Sequence, residues 1–224
     1  MKKILYFFPL LLVCLLSGCK DNDKDKEALY GTRYTMSSHY VSDYLTPTKI
    51  KVVPDTGTIY VEIGGEIYAT FKGNQYKHYN LVESWSELYG DTQYEGAVNA
   101  GMHPALAYPI EKITIYCNKD FNAKHLAGEP LDDIVKLNYY SYYSFIQNGY
   151  RPHTQNEQHL QDVEGYSLPL DCVTKDLTKL ISLKRGLTTM EFTSAPAVPG
   201  EYNFVLEMTT NGETIKTEFS HTFE

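Results

Sequence analysis

The chain has 224 residues, a formal net charge of −8 and an apolar share of 42%. That share excludes wholesale disorder, and the lack of a basic patch excludes the usual electrostatic footprint of a nucleic-acid partner. Tyrosine is abundant, with 20 residues against 9 Phe and 1 Trp, which favours strands and surfaces where one end of a ring meets water.

The amino terminus follows the grammar of an export leader. Lys2 and Lys3 precede a largely apolar run from Ile4 to Leu16, and Ser17-Gly18 follow. Pro9 interrupts this run, which is too short for a comfortable transmembrane span. Leu16-Ser17-Gly18-Cys19 resembles the lipobox of bacterial lipoproteins: a branched apolar residue, two small residues, then Cys. The resemblance implies cleavage of residues 1–18 and lipidation of the Cys19 thiol. Acyl chains contribute about 0.8 kcal/mol per buried CH₂, so several on one Cys hold a protein at a membrane essentially permanently. A second apolar span is absent from the sequence, which makes Cys19 the expected sole membrane anchor.

Residues 19–27 read as a charged tether. Seven of the eight residues from Lys20 to Glu27 are charged and none is apolar, so the segment has nothing to bury. A Lys followed by acidic residues behind the lipid Cys also resembles the surface-export signal of Bacteroidota lipoproteins. That resemblance implies an outer-membrane address with the domain facing the cell exterior.

Residues 28–224 have globular composition. Thr48 to Val53 reads as a strand stopped by Pro54-Asp55-Thr56-Gly57. Ile59, Val61 and Ile63 alternate with Tyr60 and Glu62. Gly64-Gly65 then allows two readings: a hairpin into Glu66–Phe71, or one long strand bent at a glycine bulge with Ile67, Ala69 and Phe71 on the Ile59 face. Ser84-Trp85-Ser86-Glu87 has capping-box spacing and Gly90 can end a short helix. Asp91 to Ala105 reads as loop. Ile110 to Cys117 is a strand with Ile113, Ile115 and Cys117 on one face. Leu131, Ile134 and Val135 have helical spacing after Pro130. Asp176 can cap a helix carrying Leu177, Leu180 and Ile181.

Toward the carboxyl end, Leu187 to Phe192 is a strand and Pro196 to Gly200 a turn. Asn211-Gly212 is a strong hairpin signal. A two-residue loop there pairs Met208 with Ile215, Leu206 with Thr217, Phe204 with Phe219 and Tyr202 with His221. The pattern predicts a mainly β chain: an antiparallel, broadly Ig-like β-sandwich with short helices in the connecting loops. A barrel is the alternative.

A family resemblance rests on Ile110-Glu-Lys-Ile-Thr-Ile115, Asp120-Phe-Asn122, Gly128, Leu131-Asp-Asp-Ile134 and Pro199-Gly-Glu-Tyr-Asn-Phe204. Together these resemble Bacteroidota cell-surface lipoproteins of the domain-of-unknown-function class. The resemblance implies an exported Ig-like module and supplies no catalytic residue.

The search for chemistry yields little. The histidines lack HExxH spacing, neither internal Cys has a CxxC partner, and no metal is expected. His153 and His159 with Asp162 come nearest to a cluster. There is no G-x-S-x-G elbow, Walker loop or GxGxxG, so neither an enzyme nor a cofactor is expected. Asp132-Asp133, and Glu62 with Glu66, are carboxylate pairs that read as solvated. Cys117 and Cys172 are an even pair in an exported chain and form a candidate disulfide; two buried thiols are the alternative.

The aromatics offer the sharpest hypothesis. Tyr139-Tyr140-Ser141-Tyr142-Tyr143-Ser144-Phe145, read as a strand, puts rings on both faces. Tyr140, Tyr142, Tyr143 and Trp85 are therefore candidate ligand-binding aromatics for a glycan or an envelope protein. The expected function is non-enzymatic binding. A structural or adhesin-like subunit assembling through edge strands is the alternative, and a hydrolase a third reading. Replacing Cys19 with Ala should move the protein from the membrane to the soluble fraction on cell fractionation; unchanged retention would sink the lipid-anchor reading.

Overall fold

Period-2 alternation of apolar residues sets the inward faces of the longer strands in the computed structural model. The structure describes residues 34–55, 58–69, 78–99, 104–151, 163–176 and 188–224. The leader, Cys19 and the charged tether lie outside these residues. So do His103, His153, His159, Asp162, Thr56-Gly57, Phe71 and the proposed 177–181 helix. Among the described residues strand accounts for 53% and helix for 14%, so the chain is mainly β. Tyr34–Glu224 cluster as one unit.

In chain order the elements begin with strands β1 (Tyr34–Ser37), β2 (Asp43–Asp55) and β3 (Thr58–Ala69), then helix α1 (Tyr79–Tyr89). Next come β4 (Gly96–Asn99), β5 (Pro104–Leu106), β6 (Ile110–Cys117) and β7 (Val135–Ser141). Short helix α2 (Tyr143–Gln147), strand β8 (Glu164–Pro169) and helix α3 (Leu170–Asp176) follow. The last elements are β9 (Thr189–Phe192), β10 (Gly200–Thr210) and β11 (Glu213–Phe223). A six-stranded sheet has the order β5-β2-β3-β9-β7-β8, a three-stranded sheet has β11-β10-β6, and β1 pairs with β4 in a ribbon.

The terminal hairpin adopts the predicted register. Met208 opposes Ile215, Leu206 opposes Thr217, Phe204 opposes Phe219 and Tyr202 opposes His221. Asn211 and Gly212 both take positive φ, 49° and 74°, as a two-residue loop of the twist-matching hand requires. β6 also forms as predicted, with Ile113, Ile115 and Cys117 buried. Ladder bonds place β6 beside β10, with Val205 opposite Tyr116 and Leu206 opposite Ile115.

Inward residues from both larger sheets enter one hydrophobic cluster. Ile50, Val52, Ile59, Val61, Leu137 and Met190 come from the first sheet; Ile113, Ile115, Phe204, Leu206 and Met208 come from the second. A second cluster gathers Tyr40, Val41, Tyr44, Val82, Trp85, Tyr89, Phe145 and Ile146. Neighbours Tyr44 and Leu45 fall in different clusters, because successive strand residues face opposite sides.

The glycine pair resolves in favour of one continuous β3 strand. The irregularity lies on the partner: Pro47 opposes Gly65 and Lys49 opposes Gly64, leaving Thr48 outside the pairing. Ile67 lies on the Ile59 face as expected, opposite Leu45, and is itself exposed. Its cross-strand partner Leu45, also beyond the bulge, still enters the first cluster.

Several expectations are corrected. The stretch from Asp91 to Ala105 contains two short strands, β4 paired with β1 and β5 paired with the start of β2. Such strands are too short to show a period, and their pairing is non-local. The β2–β5 pair runs parallel, so the sheet is not wholly antiparallel. Residues 131–134 form a turn rather than a helix, and Val135 begins β7. Leu131 is held there by its N–H donating to the Ile115 carbonyl at 2.9 Å. Helix α1 ends at Gly90 as predicted, with φ 72°, but starts at Tyr79, before the capping-box spacing.

At Gly65 a Cβ would fall 1.9 Å from the Thr46 carbonyl oxygen, a backbone atom. At Gly64 it would meet only the Lys49 side chain. Gly65→Ala should therefore cost about 1–3 kcal/mol or more as overpacking, whereas Gly64→Ala should cost far less because Lys49 can swing aside. Urea unfolding of both variants checks this, and equal costs would refute the close-approach account.

Candidate functional site

Helix α1 carries Val82, Trp85, Ser86 and Tyr89 on its buried face. Trp85 is 3% exposed and packs against Tyr44, Tyr68 and Tyr108 at ring separations of 5.5, 5.3 and 5.7 Å. Tyr142 is 2% exposed and meets Tyr40 edge-on at 5.7 Å. Both are core residues, which corrects their reading as ligand-binding anchors. The Tyr-rich stretch is not one strand: β7 ends at Ser141 and α2 begins at Tyr143. Ser141 Oγ accepts the Tyr143 N–H at 3.1 Å, so a hydroxyl turns the chain where alternation was expected to continue. Tyr140 is half-buried beside Gly165 on β8, and half-buried Tyr143 lies on α2. The four aromatics do not make a common platform.

The carboxylates and histidines are committed to structure. Asp132 Oδ1 accepts the Ile115 N–H at 3.0 Å. Asp133 meets His125 Nε2 at 2.8 Å, and Glu66 accepts the Tyr68 hydroxyl at 2.8 Å. His221 is half-buried at the core edge, edge-on to Phe223 at 4.6 Å; burial pushes its imidazole down. Among the described residues no group of three His, Cys, Asp or Glu side chains is placed to hold a metal ion. Cys117 and Cys172 are not joined by a disulfide. Cys117 Sγ instead donates to the Lys119 carbonyl at 2.7 Å, and burial raises its thiol above the ordinary value.

A second polar network surrounds Asp91, which sequence reasoning missed. Asp91 is fully buried. Its carboxylate accepts the N–H groups of Tyr40 and Val41, each at 2.8 Å, and the Tyr150 hydroxyl at 3.1 Å. Its carbonyl accepts His39 Nδ1 at 2.6 Å, while His39 Nε2 meets Glu83 at 2.7 Å. Burial would raise the Glu83 carboxyl, but hydrogen bonds from His39 and Tyr79 outweigh it and hold the group below its ordinary value. Ser38 Oγ lies 3.3 Å from the same His39 Nε2. A Ser–His–acid triad needs hydroxyl and carboxylate on opposite ring nitrogens. Here they share one nitrogen and a backbone carbonyl holds the other, so the network clamps residues 38–41 and cannot activate Ser38.

The candidate site lies on the outward face of the three-stranded sheet. A cleft of about 580 Å³ opens there, lined by Tyr116, Asn118, Asn203, Val205, Glu218 and Ser220 among others. Register assembles it in two rows. Tyr116, Val205 and Glu218 are cross-strand partners on β6, β10 and β11. Asn203 opposes Ser220 in the next outward row, and Asn118 joins it by donating its N–H to the Asn203 carbonyl at 3.0 Å. Asn118 Oδ1 accepts the Asn203 N–H at 3.0 Å, so its amide nitrogen is left to donate elsewhere. Asn203 Oδ1 accepts the Ser220 hydroxyl at 2.7 Å, which likewise leaves an amide NH₂. Beyond Glu218, the ion pair of Lys216 with Glu207, 2.6 Å, bounds the cleft along β10 and β11.

No family model matches the chain, and no curated protein or solved structure matches it either. Among the described residues no helix is long and apolar enough to cross a membrane.

Two measurements follow. Burial raises the Asp91 carboxyl above the ordinary aspartate value, against the hydrogen bonds from Tyr40, Val41 and Tyr150. The folded state thus binds this proton more tightly than the unfolded chain. The group's contribution to stability increases as pH falls through the raised value and is complete below the ordinary one. Asp91→Asn should remove that part of the pH dependence. It should also cost about 1–3 kcal/mol at neutral pH, because an amide NH₂ must face a backbone N–H; urea titrations across pH read both. Alkylation of the denatured, unreduced protein should label both Cys117 and Cys172, as intact mass reports.

Proposed function

We propose that the protein is a lipid-anchored surface lipoprotein of the outer membrane that works by binding rather than by catalysis. Its domain is read as an Ig-like β-sandwich, supported by two large sheets that share one hydrophobic cluster. The Cys19 lipobox and the charged run behind it support the address. The partner is a glycan or an envelope protein.

The observation that carries this reading is the open cleft across β6, β10 and β11. It combines a half-buried aromatic ring, two amides with donors to spare and one carboxylate. Binding sites place a few such polar groups around an apolar contact. Glu218 has no second carboxylate or histidine beside it in the cleft lining, so the acid–base pair of a hydrolase is not assembled there.

Assembly through edge strands is a second reading. Among the described residues β11 has a ladder partner on one side only, β10, and an edge of this kind can add a strand from a partner. Incubating the purified full chain with envelope glycan and envelope protein fractions separates the readings. Saturable capture of a component supports the binding module. Self-association or strand addition without such capture supports the assembly reading, and neither result would overturn both.

A further inference from the structure

We infer that the cleft across β6, β10 and β11 is a subsite for a neutral saccharide, with the Tyr116 ring as its stacking surface. This inference rests on the binding-module reading and names its ligand class. The argument begins with dimensions. Neighbouring strands lie about 4.8 Å apart and alternate residues about 7 Å apart along a strand. The Tyr116–Val205–Glu218 row and the Asn118–Asn203–Ser220 row therefore frame a patch about 10 Å by 7 Å. That is the footprint of a short saccharide and too small for a folded partner's interface core.

Chemistry narrows the class. A sugar presents weakly positive C–H groups on one face and hydroxyls, each both donor and acceptor, around its rim. The face of Tyr116 carries the negative part of the ring quadrupole and suits those C–H groups. The amide nitrogens of Asn118 and Asn203 donate, and Glu218 accepts, which matches the rim. Among the described residues Glu218 makes no hydrogen bond or ion pair, so nothing has to be displaced before it accepts.

Other classes fit worse. An anionic ligand would meet the Glu218 carboxylate, while Lys216 is already paired with Glu207 at 2.6 Å and Lys119 Nζ donates to the Glu201 carbonyl at 2.6 Å. An apolar peptide segment would find the Tyr116 ring and Val205 bordered by the Asn118 and Asn203 amides, the Ser220 hydroxyl and the Glu218 carboxylate. Leaving those groups without water or partner is costly. A neutral polyol with an apolar face satisfies both halves of the cleft.

The test uses the purified full chain, with ligand-observed NMR and calorimetry. The probes are neutral gluco-, manno- and N-acetylglucosamine oligosaccharides, a sulfated oligosaccharide, and an aromatic-rich peptide. At least one neutral oligosaccharide should bind. Tyr116→Ala should weaken it about tenfold, the worth of one good stacking contact. Glu218→Gln, at an exposed position, keeps the fold intact and should weaken binding severalfold, which guards against a Tyr116 variant that fails to fold. Neutral-sugar binding indifferent to both substitutions would place the sugar elsewhere and overturn the inference while sparing the binding-module reading. Tyr116-dependent binding of only the sulfated sugar or the peptide would overturn the ligand class alone. Binding of none of the probes would overturn the saccharide inference; failure of the envelope capture as well would overturn the module reading.

Discussion

The β2–β3 ribbon can hold its bulged pairing only because Gly65 has no side chain. Its backbone closes on the Thr46 carbonyl so tightly that a Cβ would sit 1.9 Å from the oxygen. Opposite it, Thr48 drops out of the ladder. A bulge of this kind increases local twist and turns the strand. On one side of the bulge, Ile50, Val52, Ile59 and Val61 face the cluster shared with the three-stranded sheet. On the other, Tyr44 and Tyr68 face the α1 cluster around Trp85. One long ribbon thus serves two cores: beyond the bulge Leu45 still enters the first cluster while Tyr44, on the opposite face, enters the second.

Tyrosine abundance has a physical explanation in the second cluster. Tyr40 meets the rings of Tyr94, Tyr142, Phe145 and Tyr150 at 4.7 to 6.5 Å. Such rings supply apolar area while their hydroxyls reach polar partners. Tyr44 reaches Ser86 at 3.2 Å, and Tyr150 reaches the buried Asp91 carboxylate. Burial pushes the Tyr150 phenol up to about 12, so it remains a donor at ordinary pH. Tyrosine rings and Asp91 together let this part of the core hold a buried carboxylate without leaving it unsatisfied.

Legibility in the sequence followed locality. The Asn211-Gly212 hairpin could be read with its register, and β6 with its inward face, because alternation and turn chemistry sit within a few residues of each other. β4 and β5 could not, because strands of three or four residues carry no period and pair with distant partners. The Tyr-rich stretch misled because alternating aromatics describe a strand and a short helix equally well over seven residues. The serine at 141 was the available signal for the break, since a Ser hydroxyl that accepts an N–H two residues on is a turn-former. For the site, the outward position of Tyr116 followed from Ile115 and Cys117 facing inward. Its alignment with Val205 and Glu218 needed the β6–β10 register, which no local pattern encodes. Asp91 gave no warning either, because a lone acidic residue in an apparent loop looks solvated.

The same register fixes the order in which the cleft can come into being. Val205 with Glu218, and Asn203 with Ser220, are neighbours within a single hairpin closed by a two-residue loop. Closing a short loop costs little chain entropy, and contacts of low sequence separation form fastest. Tyr116 and Asn118 arrive from the far side of a long excursion through β7, α2, β8, α3 and β9. The chain therefore lays down the Asn203, Val205, Glu218 and Ser220 side of the cleft locally and gains Tyr116 and Asn118 only when β6 docks. Completion of the cleft thereby becomes a late event in folding, coupled to closure of the three-stranded sheet.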